Sequence, residues 1–162
     1  MINTPKRLVA CVFSLLIAVI ASSVLSGPSA HAFINTDKIK LPATQIQLYT
    51  NAWSQSISSN RKFDWMTSSK TTLDGKAIKV DTIKNTATVR VTGVAVSVSG
   101  GGVSGSGAVQ AEYKLSWTNN KASISDLSGR STVTGVVLKF SANSLAFATY
   151  KGVKNSVDIW SW

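Results

Sequence analysis

The chain has almost none of the residues that carry bond-making chemistry. It contains one cysteine, Cys11, and one histidine, His31. Both fall in an N-terminal stretch that reads as an export signal. Lys6 and Arg7 open it, an almost uncharged apolar run follows over residues 8–25, and Ser-Gly-Pro-Ser breaks that run. Ala30-His31-Ala32 then supplies small residues at a signal-peptidase spacing. A membrane anchor competes with this reading, because a bilayer needs roughly 20 apolar residues. Pro28 and the small-residue site favour cleavage. Cys11 stands at the start of the apolar run, whereas a lipid-attached cysteine would follow it. Cleavage after Ala32 divides the chain into a signal peptide, 1–32, and a secreted domain, 33–162, with neither cysteine nor histidine.

Those absences exclude whole classes of function. Without His or Cys the secreted domain can build no Ser-His-Asp triad and no Cys-His pair. It also cannot build the imidazole or thiolate sites of zinc, copper or iron. The seven acids are scattered and form no calcium loop, so no metal and no cofactor is expected. Gly100, Gly102 and Gly105 match G-x-G-x-x-G, but an alternating strand follows where a dinucleotide site needs a helix, so no nucleotide is expected. Ser59 and Lys62 match S-x-x-K inside a basic turn, without the helix that motif requires. One catalytic route stays open. A glycoside hydrolase needs only two carboxylates, and Glu112 with a neighbouring Asp would supply them.

A disulfide-free domain of this length buries enough surface to fold without staples. For an exported protein, that lack points to a bacterium. Acids are scarce too. Removing Lys6 and Arg7 leaves fifteen cations against seven acids, a net charge of +8.

What is present is a β pattern. Ser and Thr are abundant, no segment keeps helical periodicity, and period-two alternation recurs between turn-type clusters. The reading is an all-β fold: a single antiparallel β-sandwich, or a partly closed barrel, of eight or nine short strands. Alternating segments lie near residues 45–49, 63–65, 78–82, 133–140, 145–149 and 153–159. Turns are expected at Asp74-Gly75, Lys84-Asn85, Asn119-Asn120, Ser128-Gly129, residues 141–144 and Lys151-Gly152. Residues 33–43 read as a loose arm, and 51–60 as strand or coil.

The segment 93–117 raises the sharpest alternative. Val94, Val96 and Val98 lead into a turn at Gly100, Gly101 and Gly102, and one amphipathic strand then runs through Val103, Val109 and Tyr113 to Trp117. Val89 and Val91 have the opposite parity, so Gly93 is expected to mark a bulge. Alternation of this kind suits a half-buried strand in a soluble sheet. It also suits the inserting hairpin of a membrane-active toxin or bacteriocin, which would have to oligomerise, but Gly105 and Gly107 interrupt the apolar face and favour the soluble sheet.

Trp65 and Trp117 are expected in the core. Trp160 and Trp162 share one side of a terminal strand and offer flat rings for stacking on sugars. The densest cations are Arg61 with Lys62, and Lys151 with Lys154. The leading reading is therefore a secreted, non-catalytic protein that binds anionic cell-envelope or extracellular polymer. Trp160 and Trp162 would stack, and Lys151, Lys154, Arg61 and Lys62 would attract. The partners this implies are an anionic polysaccharide, a teichoic acid or an anionic membrane surface. Nucleic acid is not expected in that compartment.

Overall fold

The computed structural model describes residues 32–162. The segment expected to be an export signal, with Cys11 and His31, lies outside the described residues except for Ala32. The described chain is all-β and contains no helix. Its strands are β1 (Ala32–Lys40), β2 (Gln47–Gln55), β3 (Lys62–Leu73), β4 (Lys76–Ala77), β5 (Val80–Gly100), β6 (Val103–Gly107), β7 (Gln110–Ala122), β8 (Ile124–Tyr150) and β9 (Val153–Trp160). All nine join in one antiparallel sheet that folds over on itself without closing.

The class agrees with the sequence pattern, but the strands are not uniformly short. β5 has 21 residues and β8 has 27. Lys84-Asn85, Ser128-Gly129 and residues 141–144, expected as turns, lie inside these two strands. Asn119-Asn120 lies inside β7, and a bend at Ser123 separates β7 from β8. The expected loose arm is β1, paired along its length with β2 from Ala32↔Gln55 to Lys40↔Gln47. Turn-forming residue types do not break a strand whose two neighbours satisfy its backbone. The turns at Asp74-Gly75, Gly101-Gly102 and Lys151-Gly152 do form, with positive φ at all six residues.

Strand β8 belongs to both layers of the fold. Residues 124–132 pair with β3, which continues to β2 and β1. Residues 132–149 pair with β5, and 143–150 with β9 on the opposite edge. The two layers face each other over a core of two apolar clusters. One holds Phe63, Trp65, Val89, Val91, Val96, Val98 and Tyr113. The other holds Leu41, Ile46, Leu48, Val80, Ile83 and the alanines 146 and 148. Buried polar side chains also cross between the layers. Asn85 donates to Thr67 Oγ1 at 2.9 Å and accepts from Ser144 Oγ at 3.1 Å, while Thr50 Oγ1 donates to the Ser144 carbonyl at 3.0 Å. Trp65 is buried as expected, its Nε1 donating to Tyr113 Oη and Ser131 Oγ. Trp117 is exposed, with its indole N–H on Asn119 Oδ1.

The outer strands β1 and β9 approach without a ladder. Asn35 Nδ2 donates to the Trp160 carbonyl at 2.6 Å, and Asn155 Nδ2 to the Lys40 carbonyl at 3.0 Å. Two amide side chains thus bridge the seam that keeps the sheet from being a barrel.

The long strands change face at one level. On β5 the buried apolar residues are odd-numbered from Ile83 to Val91 and even-numbered from Val96; on β8 the swap falls between Ala142 and Val133. The ladder slips between Thr92 and Gly93, where Leu138 is the extra residue on β8. It slips back between Val94 and Ser97, where β5 carries the extra residue at Ala95, with φ 48°. The face reset expected at Gly93 thus falls at Ala95, and the slip beside Gly93 is its counterpart on β8. A Cβ on Gly93 would stand 1.8 Å from the Val136 carbonyl oxygen, and one on Gly135 2.3 Å from that of Ala95.

Gly93→Ala is predicted to lower the unfolding free energy by about 2–4 kcal/mol, because backbone must move to admit the methyl group. Gly102→Ala, with φ 80° but open space around it, should cost only about 1 kcal/mol. Urea unfolding followed by tryptophan emission checks both.

Candidate functional site

Alternation along β9 places the terminal tryptophans. Ser161 is fully buried: its N–H donates to the Ala142 carbonyl, its Oγ accepts from Ala142 N–H, and the same Oγ bonds Ser54 Oγ at 2.8 Å. This peg turns Trp160 and Trp162 to the other side, where the rings stack with centroids 5.7 Å apart and planes 15° apart. The Arg90 guanidinium lies 4.3 Å from the Trp160 centroid, and the Lys139 ammonium 4.2 Å from that of Trp162.

The expected pair of rings therefore exists, but its cations are different ones. Lys151 stands in the β8–β9 turn beside the Tyr150 ring, and Lys154 pairs with Thr149 at the far end of β9 from Trp160. Arg61 donates to the Gly135 carbonyl at 2.8 Å, and Lys62 is an exposed residue at the start of β3. None of the four is brought to the tryptophans. Arg90 and Lys139 reach them through cross-strand register, Arg90↔Ser141 and Thr92↔Lys139 beside Asn143↔Trp160. Spacing within any one strand carries no signal of that.

Carboxylates on these surfaces are held by arginines. Arg90 donates through Nε and Nη2 to Glu112 Oε2 at 3.0 and 2.9 Å, and Lys114 stands 3.6 Å from Oε1. The Arg90 hydrogen bonds hold the Glu112 carboxyl below its usual range, against partial desolvation and with help from the charges of Arg90 and Lys114. A glycosidase's general acid needs a shift in the other direction. Asp64 is lowered in the same way by two bonds from Arg130, at 2.7 and 2.9 Å. Among the described residues no three metal-ligating side chains cluster.

The hairpin residues do not form one surface. β6 and β7 are separate strands interrupted at Ala108-Val109, and both pair with one edge of β5, whose other edge is held by β8. Val96, Val98 and Tyr113 are buried in the core, and that burial raises the Tyr113 pKa. Val94, Val103 and Val109 are exposed. The single amphipathic strand expected from Val103 to Trp117 is thus corrected. The turn at Gly100, Gly101 and Gly102 stands, whereas the parity change expected at Gly93 falls at Ala95, so Val94 faces solvent and Val96 the core.

A second surface, on the outside of β1–β2–β3, is better shaped for a ligand. Tyr49, Asn51 and Trp53 of β2 point outward in alternation, and register extends each into a row: Lys38–Tyr49–Lys70, Thr36–Asn51–Ser68 and Ile34–Trp53–Met66. One cavity of about 330 Å³ is lined by Thr36, Tyr49, Asn51, Ser68 and Lys70. Another of about 550 Å³ is lined by Trp53, Asp64, Trp65, Met66, Ser128 and Gly129. Gly129 pairs with Trp65, and a Cβ there would press on the inward-facing Trp65 ring at 2.9 Å, so glycine at 129 makes room for that ring in the core beneath the cavity. Asp126, the register partner of Ser68, adds an acid on the β8 side. The outward parity of Tyr49 was legible in the sequence; the rows that give it Lys38 and Lys70 were not.

No family model, no curated protein and no solved structure matches this chain.

The lowered carboxyls give a pH dependence of definite sign. Their folded pKa values lie below the unfolded ones, so the stability they contribute is present above the unfolded value and lost as pH falls through the folded one. The urea midpoint should therefore drop between neutral pH and about pH 3. In the double variant Glu112→Gln, Asp64→Asn the drop should be shallower.

Proposed function

We propose that this is an exported, non-catalytic protein that binds an anionic glycan polymer of the cell envelope or extracellular matrix in the outer cleft of β1–β2–β3. One observation carries the reading: Tyr49, Asn51 and Trp53 alternate along a single strand face, Tyr49 flanked by two lysines, Asn51 by two hydroxyls and Trp53 by Ile34 and Met66, beside two cavities. Aromatic faces suit the apolar sides of sugar rings. Asn51, Thr36 and Ser68 offer donors and acceptors for sugar hydroxyls, and Lys38 and Lys70 offer charge. Tyr49 and Trp53 stand four residues apart on a strand, roughly 13 Å at the usual rise, a span that favours a chain of sugars over a single ring.

The C-terminal tryptophans supply less of this chemistry than their sequence position suggests. Their rings are engaged with each other and with Arg90 and Lys139, so a sugar would have to displace those contacts. The net charge of +8 after signal cleavage attracts the polymer to the whole molecule, and the cleft supplies the fit.

Affinity electrophoresis in gels containing polygalacturonate tests the reading, with dextran sulfate as a charge-only control. Migration should be retarded by polygalacturonate and restored by salt. Trp53→Ala and Tyr49→Ala should each weaken binding by about tenfold, and Trp162→Ala should leave it nearly unchanged. Indifference to both cleft substitutions, retardation by dextran sulfate alone, or sugar release from the polymer would refute the proposal.

A further inference from the structure

The corner made by the paired bulges carries the densest exposed apolar surface of the second layer. Val94 and Val136 are register partners, each 60% exposed, and Leu138, the residue extruded by the β8 bulge, is 75% exposed. Val109, 66% exposed, lies on the other side of β5, where its carbonyl accepts the Gly93 N–H at 2.9 Å. Side chains of this size, grouped and turned to solvent, mark a contact surface.

Cations frame the patch. Lys139 follows Leu138 directly and carries its ammonium over the exposed Trp162 ring at 4.2 Å. Arg61 reaches the corner through its bond to the Gly135 carbonyl, which uses one of five N–H donors on an exposed guanidinium. Acids are missing from both segments that build the corner: residues 92–111 and 131–157 contain none. Apolar tips, flanking cations and an indole at the margin form the combination that settles at the headgroup level of a bilayer.

We propose that this corner docks on the surface of an anionic lipid bilayer. Val94, Val109, Val136 and Leu138 enter the interface, Lys139 and Arg61 meet lipid phosphates, and Trp162 lies among the headgroups. The strands stay in the sheet. β5 is hydrogen-bonded on both edges, and the irregular backbone of the bulges is compatible with the interface, not with the hydrocarbon core. The inference shares with the preceding section only the export of the chain; it uses different residues and a different ligand.

Flotation of the exported protein, its N-terminus verified by mass, tests the proposal on vesicles of equal phosphatidylglycerol and phosphatidylcholine. The protein should float with these vesicles at low salt and stay behind with phosphatidylcholine alone. Val94→Ser combined with Leu138→Ser should lower the partition coefficient by about tenfold or more. Lys139→Glu, which leaves the apolar tips in place, should weaken anionic binding by a comparable factor. Trp53→Ala should change nothing, which separates failure here from failure of the polymer reading. No flotation with anionic vesicles, or flotation indifferent to the substitutions, would overturn the inference. So would release of entrapped dye, which means insertion. A dimer in sedimentation that the serine variant disperses, without vesicle binding, would reassign the patch to self-association.

Discussion

The close approach of backbone to backbone at Gly93 and Gly135 is what lets two long strands serve two layers. β5 and β8 each present one set of alternate side chains to the core on one side of the corner and the opposite set on the other. Without an extra residue in each, the alternation of a strand would drive Val96 and Val98 to solvent or Val89 and Val91 out of the core. The extra residues cancel, so the ladder returns to its original register beyond the corner. That cancellation permits one continuous sheet to fold over on itself where two separate sheets would otherwise be needed.

Small and polar side chains set the distance between the layers. Alanines 52, 87, 142, 146 and 148 are all buried, and Asn85, Thr67, Thr50 and Ser144 are buried with hydrogen-bonded partners. An apolar core of this composition has little bulk to lock one layer against the other. Polar pairs supply directionality instead, because a slip of one residue would leave Asn85 buried and unsatisfied. Ser161 extends the same logic to the last strand, where one hydroxyl bonds both Ser54 and Ala142.

Much of the β character was legible because period-two alternation and positive-φ turns are local. The turns at Gly75, Gly101-Gly102 and Gly152, the buried Trp65 and the change of parity between Val91 and Val96 all follow from neighbouring residues, although the change falls at Ala95 and not at Gly93. Lys84-Asn85 has turn-type residues but stays in the strand, where Thr67 and Ser144 from other strands bond the Asn85 amide. Trp117 was misplaced because it sits on the core side of β7 where exposure depends on the facing layer. For the candidate site, the shared side of Trp160 and Trp162 was readable from spacing. Arg90, Lys139 and the rows through Tyr49 and Trp53 arise from pairing between distant segments, for which one sequence holds no local sign.

The seam between β1 and β9 gives the molecule a mechanical direction. The paired strands of the sheet are joined by ladders of main-chain bonds, but β1 and β9 are joined by two asparagine amides. Tension across this line would load side-chain bonds before main-chain ladders, and Phe33 of β1 rests edge-on against Phe140 of β8. The same amides occupy carbonyls of Lys40 and Trp160 that would otherwise recruit a foreign strand. The seam is thus a line of side-chain bonds that also occupies two main-chain acceptors at the edges of the sheet.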